Sequence, residues 1–202
     1  MNTLEERIME TIEQEVVLEA AEFTEEYLES LRCEKAEFEG VKFRNCRFEN
    51  CDFSKASFIK CEFDNCDFSN CAFKESYWKE TTIGNCKAQG SVFANAIFRN
   101  CKATQSNFDY SNFNHVLFES VTMTETSFVS AFLSEMKMKK VIFEQNKFDS
   151  TDFFKTPLKG VDFSSCELQG ILLSDDFREV KGAKFNALQA VEIAKLLGVV
   201  IV

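Results

Sequence analysis

The sequence has one histidine, His115, and so lacks the side chain most used for proton transfer and metal ligation. It has no Gly-rich phosphate loop, no Gly-x-Ser-x-Gly elbow and no Cys-x-x-Cys pair. Nucleotide chemistry, acyl transfer and zinc binding are left without their usual residues. We expect no catalytic residue, no metal and no cofactor. No stretch approaches eighteen consecutive apolar residues, so no transmembrane helix and no membrane partner are expected. The start, MNTLEERIMETIEQE, has no apolar core of the kind a secretory signal needs, and a cytoplasmic location is the expectation. The net charge of −10 argues against nucleic acid as a direct partner, because phosphate binding needs clustered Lys and Arg.

What is present is a period. From Phe38 to Leu173 every fifth residue is a large apolar side chain or, less often, alanine: Phe43, Phe48, Phe53, Phe58, Phe63, Phe68, Phe73, Trp78, Ile83, Ala88 and onward without insertion. Two residues before each anchor stands a small or medium side chain, such as Cys46, Cys51, Ala56, Cys61, Ser91 or Val116. A period of five fits neither a helix nor a simple strand; it marks a solenoid. Anchor and small residue point the same way, as they do in a strand. The remaining residues turn the chain. Four such turns close a square of twenty residues whose coils stack at about 4.8 Å.

The stretches CDFSK, CEFDN, CDFSN and VDFSS resemble the A(D/N)LXX motif of the pentapeptide-repeat family. The resemblance runs over about residues 18 to 173 and implies an all-β fold, a right-handed quadrilateral β-helix. The expected division is an N-terminal helical cap over 1–17, the β-helix over 18–175 and a C-terminal module over 176–202.

Eight of the nine cysteines, all but Cys33, fall two residues before an anchor, which reads as packing in a reducing compartment. Residues 3 to 14 read as a helix with a Thr3–Glu6 capping box and a stripe of Leu4, Ile8 and Ile12. That stripe either lids the first coil or binds a partner. Leu18, Phe23 and Leu28 keep the phase, but Glu26 and Cys33 break it, so the first coil is expected to be irregular.

Residues twenty apart share a face. The face of Phe43 and Phe63 gathers Glu22, Glu25, Glu62, Asp64, Glu125, Glu144 and Asp162 against Lys42, Arg44 and Lys102. It also aligns Asn45, Asn65 and Asn85 as an amide ladder. The face of Phe48 and Phe68 gathers Glu29, Glu49, Asp67, Asp109, Asp149 and Glu167 against Arg47, Lys87 and Lys147. The face of Phe53 is near neutral. That of Phe58 is basic, through Lys60, Lys79, Arg99, Lys137, Lys139, Lys140 and Lys159. Tyr77, Ile97 and Leu117 form an outward apolar column that suits the N-terminal helix or a partner.

After Leu173 the phase stops. Asn186 can cap a helix ALQAVEIAKLL that Gly198 ends, followed by VVIV. This apolar helix and strand suit a twofold dimer interface through Leu188, Val191, Ile193, Leu196, Leu197, Val199 and Ile201; a cap on a monomer is the alternative. The segment GAKFNALQAVEIAKLLGVVIV resembles the end of the Qnr-type and mycobacterial pentapeptide proteins that protect DNA gyrase from fluoroquinolones. That resemblance implies a homodimeric DNA mimic that binds DNA gyrase or topoisomerase IV. Its contacts would lie on the acidic faces, at Glu49, Asp67, Asp109 and Asp149 and at Glu62, Asp64, Glu144 and Asp162. A generic interaction scaffold of the same fold is the alternative.

Overall fold

The computed structural model describes residues 3–201. Helix α1 (Leu4–Gln14) opens the chain, and helix α2 (Ala187–Leu196) stands near its end. Between them the backbone winds in coils of twenty residues. Each three-residue strand pairs in parallel with the strand twenty positions on, as in Phe38↔Phe58 and Phe43↔Phe63. Two faces become seven-stranded parallel sheets. The other two are held mainly by single bridges such as Asp52↔Ala72 and Asp67↔Lys87.

The corners explain the remaining sequence preference. From Phe38 to Leu158 the residue two after each anchor is left-handed, for example Asn45 at φ 53°, Asn65 at 51° and Gly90 at 69°. That conformation costs most L-residues about 1–2 kcal/mol and is least unfavourable for Gly and Asn. Asn45, Asn50, Asn65, Asn70, Asn85, Asn95 and Asn100 all occupy corners.

Inside, the rings stack along the axis. Phe38 and Phe58 lie 5.0 Å apart with almost parallel rings, and Phe53–Phe73–Phe93–Phe113 stack at 5.2, 5.0 and 4.7 Å. Aromatic pairs gain about 0.5–1.5 kcal/mol beyond burial. Trp78 is fully buried, and its indole N–H donates to Ser76 Oγ at 2.8 Å, which satisfies the one polar atom it brings inside.

The ends are closed. Glu6 N–H donates to Thr3 Oγ1 at 3.3 Å, and Thr3 N–H donates to Glu6 Oε2 at 3.0 Å, completing the capping box. Leu4 and Ile8 are wholly buried, and Ile12 packs on the same core. The stripe of α1 is therefore spent on the start of the solenoid, not on a partner and not on the Tyr77 column. The first coil, expected to be irregular, is regular. Leu18, Phe23 and Leu28 are buried in register with Phe38, Phe43 and Phe48, and Cys33 fills an anchor position of its own. A thiol is small and apolar enough to serve there.

The phase also resumes after Leu173. A two-residue insertion precedes Lys184, which bridges Asp162, and the Phe185 ring stacks on Phe163 at 5.9 Å. The inserted backbone is held by Glu179, whose Oε1 accepts the N–H of Lys155 at 2.8 Å and of Ser174 at 3.1 Å. Asn186 caps α2 through Gln189, and the Gln189 amide donates to the carbonyls of Phe163 at 2.8 Å and Cys166 at 2.6 Å. Residues 199–201 form no strand, because no neighbouring strand offers them a ladder. Val202 lies outside the described residues.

Candidate protein-interaction surfaces

The predicted acidic residues all stand on outward positions, but their surroundings differ. Arg44 lies among Glu22 (2.9 Å), Glu62 (3.4 Å) and Asp64 (3.8 Å), and Lys42 adds a contact of 3.6 Å to Glu62. Charge on that face is therefore locally compensated near its start. Further along, Glu144 is exposed and has no ion pair among the described residues. Asp162 accepts the Ser164 N–H at 3.0 Å and has Lys184 at 3.9 Å; the bond from Ser164, then the lysine, holds its carboxyl below the ordinary range. The Asn65 amide donates to Asn45 at 2.8 Å, as the ladder requires, but Asn85 turns to Asp64 at 3.2 Å instead.

On the neighbouring face the aspartates face partly inward along the ladder. Asp67 accepts Ser69 N–H at 3.0 Å, Asp109 accepts Val129 N–H at 2.8 Å, and Asp149 accepts Gln169 N–H at 2.8 Å. All three are half-buried, so they brace turns as well as carrying charge. Glu49 pairs with Arg47 at 2.8 Å and accepts the Tyr27 hydroxyl at 3.2 Å.

The densest acidity lies at the start of the rod. Glu5, Glu6, Glu10, Glu13, Glu15, Glu19, Glu22, Glu25, Glu26 and Glu29 stand there against Arg7. Folding brings α1 beside Leu18–Glu19, and so concentrates these carboxylates at one end. A window of charge along the sequence, without sorting by face, shows the same excess. The basic residues Lys137, Lys139, Lys140 and Lys159 are exposed near the other end. Of these, Lys139 is paired with Glu119 at 2.8 Å, and that contact, with Arg99, lowers the Glu119 carboxyl.

The dimer candidates divide likewise. Leu188 is 81 % exposed, and Leu196, Leu197, Val199 and Ile201 are also exposed, whereas Val191 and Ile193 are half-buried with Ile193 against the core. Val200, not singled out from sequence, is 84 % exposed. Apolar side chains thus remain exposed on α2 and the residues after it. Tyr77, Ile97 and Leu117 stack in register but are only half-exposed, with the Arg99 guanidinium 5.9 Å from the Tyr77 ring. All nine cysteines are buried and unpaired, and no group of His, Cys, Asp or Glu among the described residues is arranged to hold a metal. None of the described helices is long and apolar enough to cross a membrane.

Two family models match the chain: pentapeptide repeats (8 copies) over residues 32–74, and the pentapeptide repeat region over residues 56–128. No curated protein sequence matches it. Among solved structures, two trypsin-treated variants of QnrB1, a plasmid-mediated fluoroquinolone resistance protein, share the fold. One is 20 % identical with a TM-score of 0.58, covering 90 % of this chain and 99 % of QnrB1's. The other is 23 % identical with a TM-score of 0.51, covering 92 % and 98 %. Period, coil geometry and these matches agree: residues 32–128 match pentapeptide-repeat family models, and the fold of the chain is the right-handed quadrilateral β-helix of such repeats.

Proposed function

We propose that this protein is a homodimeric, cytoplasmic DNA mimic that binds a type II topoisomerase, DNA gyrase or topoisomerase IV, and protects it from fluoroquinolones. The observation that carries the reading is the pairing of an acid-rich rod with an uncovered apolar module at its far end. Joining two copies through α2 and residues 199–201 places an acidic end at each extremity of a longer rod. Such a field steers the rod towards a basic DNA-binding saddle. The shared fold and chain coverage with QnrB1 support this reading. The unpaired Glu144 and the N-terminal glutamates carry the steering charge, while Asp67, Asp109 and Asp149 hold the surface in shape. The protein acts by occupying a surface, not by catalysis.

The half-exposed column of Tyr77, Ile97 and Leu117 favours a second reading, a scaffold whose partner contacts apolar side chains. A gyrase supercoiling assay with and without a fluoroquinolone separates the two. The mimic restores supercoiling in the presence of drug; a scaffold for another partner leaves inhibition unchanged.

A further inference from the structure

The two-residue insertion does more than shift the register. Phe154, Lys155 and Pro157 face Ser174–Glu179 across a cleft of about 520 Å³, a size within the range of ligand pockets. It lies at the corner of the Phe153 and Leu158 faces, away from both acidic faces. Glu179 lines it and is only 3 % exposed. One carboxylate oxygen, Oε1, is used by the backbone of Lys155 and Ser174. The other, Oε2, is buried with no hydrogen-bond donor. Buried carboxylate oxygens are normally paired, so this atom asks for a partner.

The surrounding charges do not supply it. Arg178 is committed to Asp176 at 2.9 Å. The Lys155 ammonium lies 4.8 Å above the Phe154 ring, which also shows that this wall accepts a cation. Asp175 is exposed, lines the same cleft and has no ion pair among the described residues. Burial pushes the Glu179 carboxyl up, but the hydrogen bonds from Ser174 and Lys155 outweigh it and leave the group below its ordinary value. The carboxylate is therefore charged at neutral pH.

We propose that this cleft binds an organic cation, a guanidinium or alkylammonium, held by the carboxylate charges of Glu179 and Asp175 with its carbon stem against Phe154 and Pro157. The cation comes either from an Arg or Lys side chain of a protein partner or from a free amine.

Amide-resolved NMR titration of the full chain tests this, with ethylguanidinium, butylammonium and a Gly-Arg-Gly peptide blocked at both ends as probes and ethylurea as the uncharged control. At least one cation should shift the Lys155, Ser174 and Asp175 amides saturably, while ethylurea leaves them in place. Tighter binding of the peptide assigns the cation to a protein side chain; equal or weaker binding assigns it to a free amine. Glu179→Gln should weaken binding about tenfold or more, as loss of a buried charge facing the cation implies. Should that variant fail to fold, Asp175→Asn and Phe154→Ala, both at exposed positions, should each weaken it several-fold. Equal shifts with ethylurea, no shifts with any cation, or unchanged binding in the folded variants would overturn the proposal.

Discussion

The hydroxyl of Ser91 donates a 2.7 Å hydrogen bond to the carbonyl of Phe68, 23 residues earlier. Cys46, Cys66, Cys71, Thr81, Ser111, Asn146 and Thr151 make the same link to the anchor of the coil before. The position two before each anchor is thus more than a small gap-filler. Ser91 supplies a second donor to the Phe68 carbonyl, which also accepts the Cys71 N–H at 3.3 Å. Ser91→Ala should cost about 1 kcal/mol, the net worth of a buried hydrogen bond to a carbonyl that keeps its Cys71 N–H, whereas Ser91→Cys should cost less. Urea unfolding compares the two; equal loss would mean that the hydroxyl only fills space.

Phe108→Ala should cost about 3–5 kcal/mol, because it empties a stacked site in a fully packed core. Asn107→Ala should cost about 1 kcal/mol, since its side chain accepts Asp109 N–H at 2.8 Å and ties a turn. Similar small losses in both would contradict the observed five-residue register.

Cys61 and Cys101 should resist thiol reagents at pH 8 until the chain unfolds. Burial pushes each thiol up to about 11, so almost no thiolate is present to react. Rapid labelling of the native protein would place them outside the coil.

Much of this architecture was legible in the sequence. The unbroken frame from Phe38 to Leu173 specified anchors, faces and coil size, and both helix caps were readable from Thr3–Glu6 and Asn186. Cys33 was misread because a cysteine does not resemble an anchor until the coils are stacked. The resumption at Phe185 was hidden by two extra residues, although Ala183-Lys184-Phe185 repeats the small–polar–anchor order. The charge pattern on each face was also legible, but not its compensation by Arg44, which depends on side chains reaching across coils. Nothing in the sequence marked Glu179. Its burial and its half-used carboxylate exist only once the insertion folds onto Lys155.

Glu179 makes stability depend on pH in a defined direction. Its folded pKa is depressed, so its contribution is fully present above the ordinary value of 4.5 and is lost as pH falls through the folded value. The stability gap between the native chain and Glu179→Gln should therefore be largest near neutral pH and shrink on acidification below 4.5. A gap that widened in acid would reverse the assignment.

Leu188→Glu combined with Val200→Glu should halve the mass seen in sedimentation equilibrium without unfolding the rod, because both side chains are more than four-fifths exposed. An unchanged mass would make α2 a cap alone.

The central claim is that acidic surface brings this rod to a topoisomerase, and equilibrium binding to purified DNA gyrase across a salt series tests it most directly. Binding should weaken as salt rises, because the screening length is about 8 Å at physiological ionic strength. Reversing Glu25, Glu125 and Glu144 to Lys should weaken it about tenfold or more, while reversing Lys137 and Lys140 to Glu should leave it nearly intact. Binding that ignores both salt and the glutamate reversals, yet disappears when Tyr77, Ile97 and Leu117 are replaced by Ser, would contradict the account.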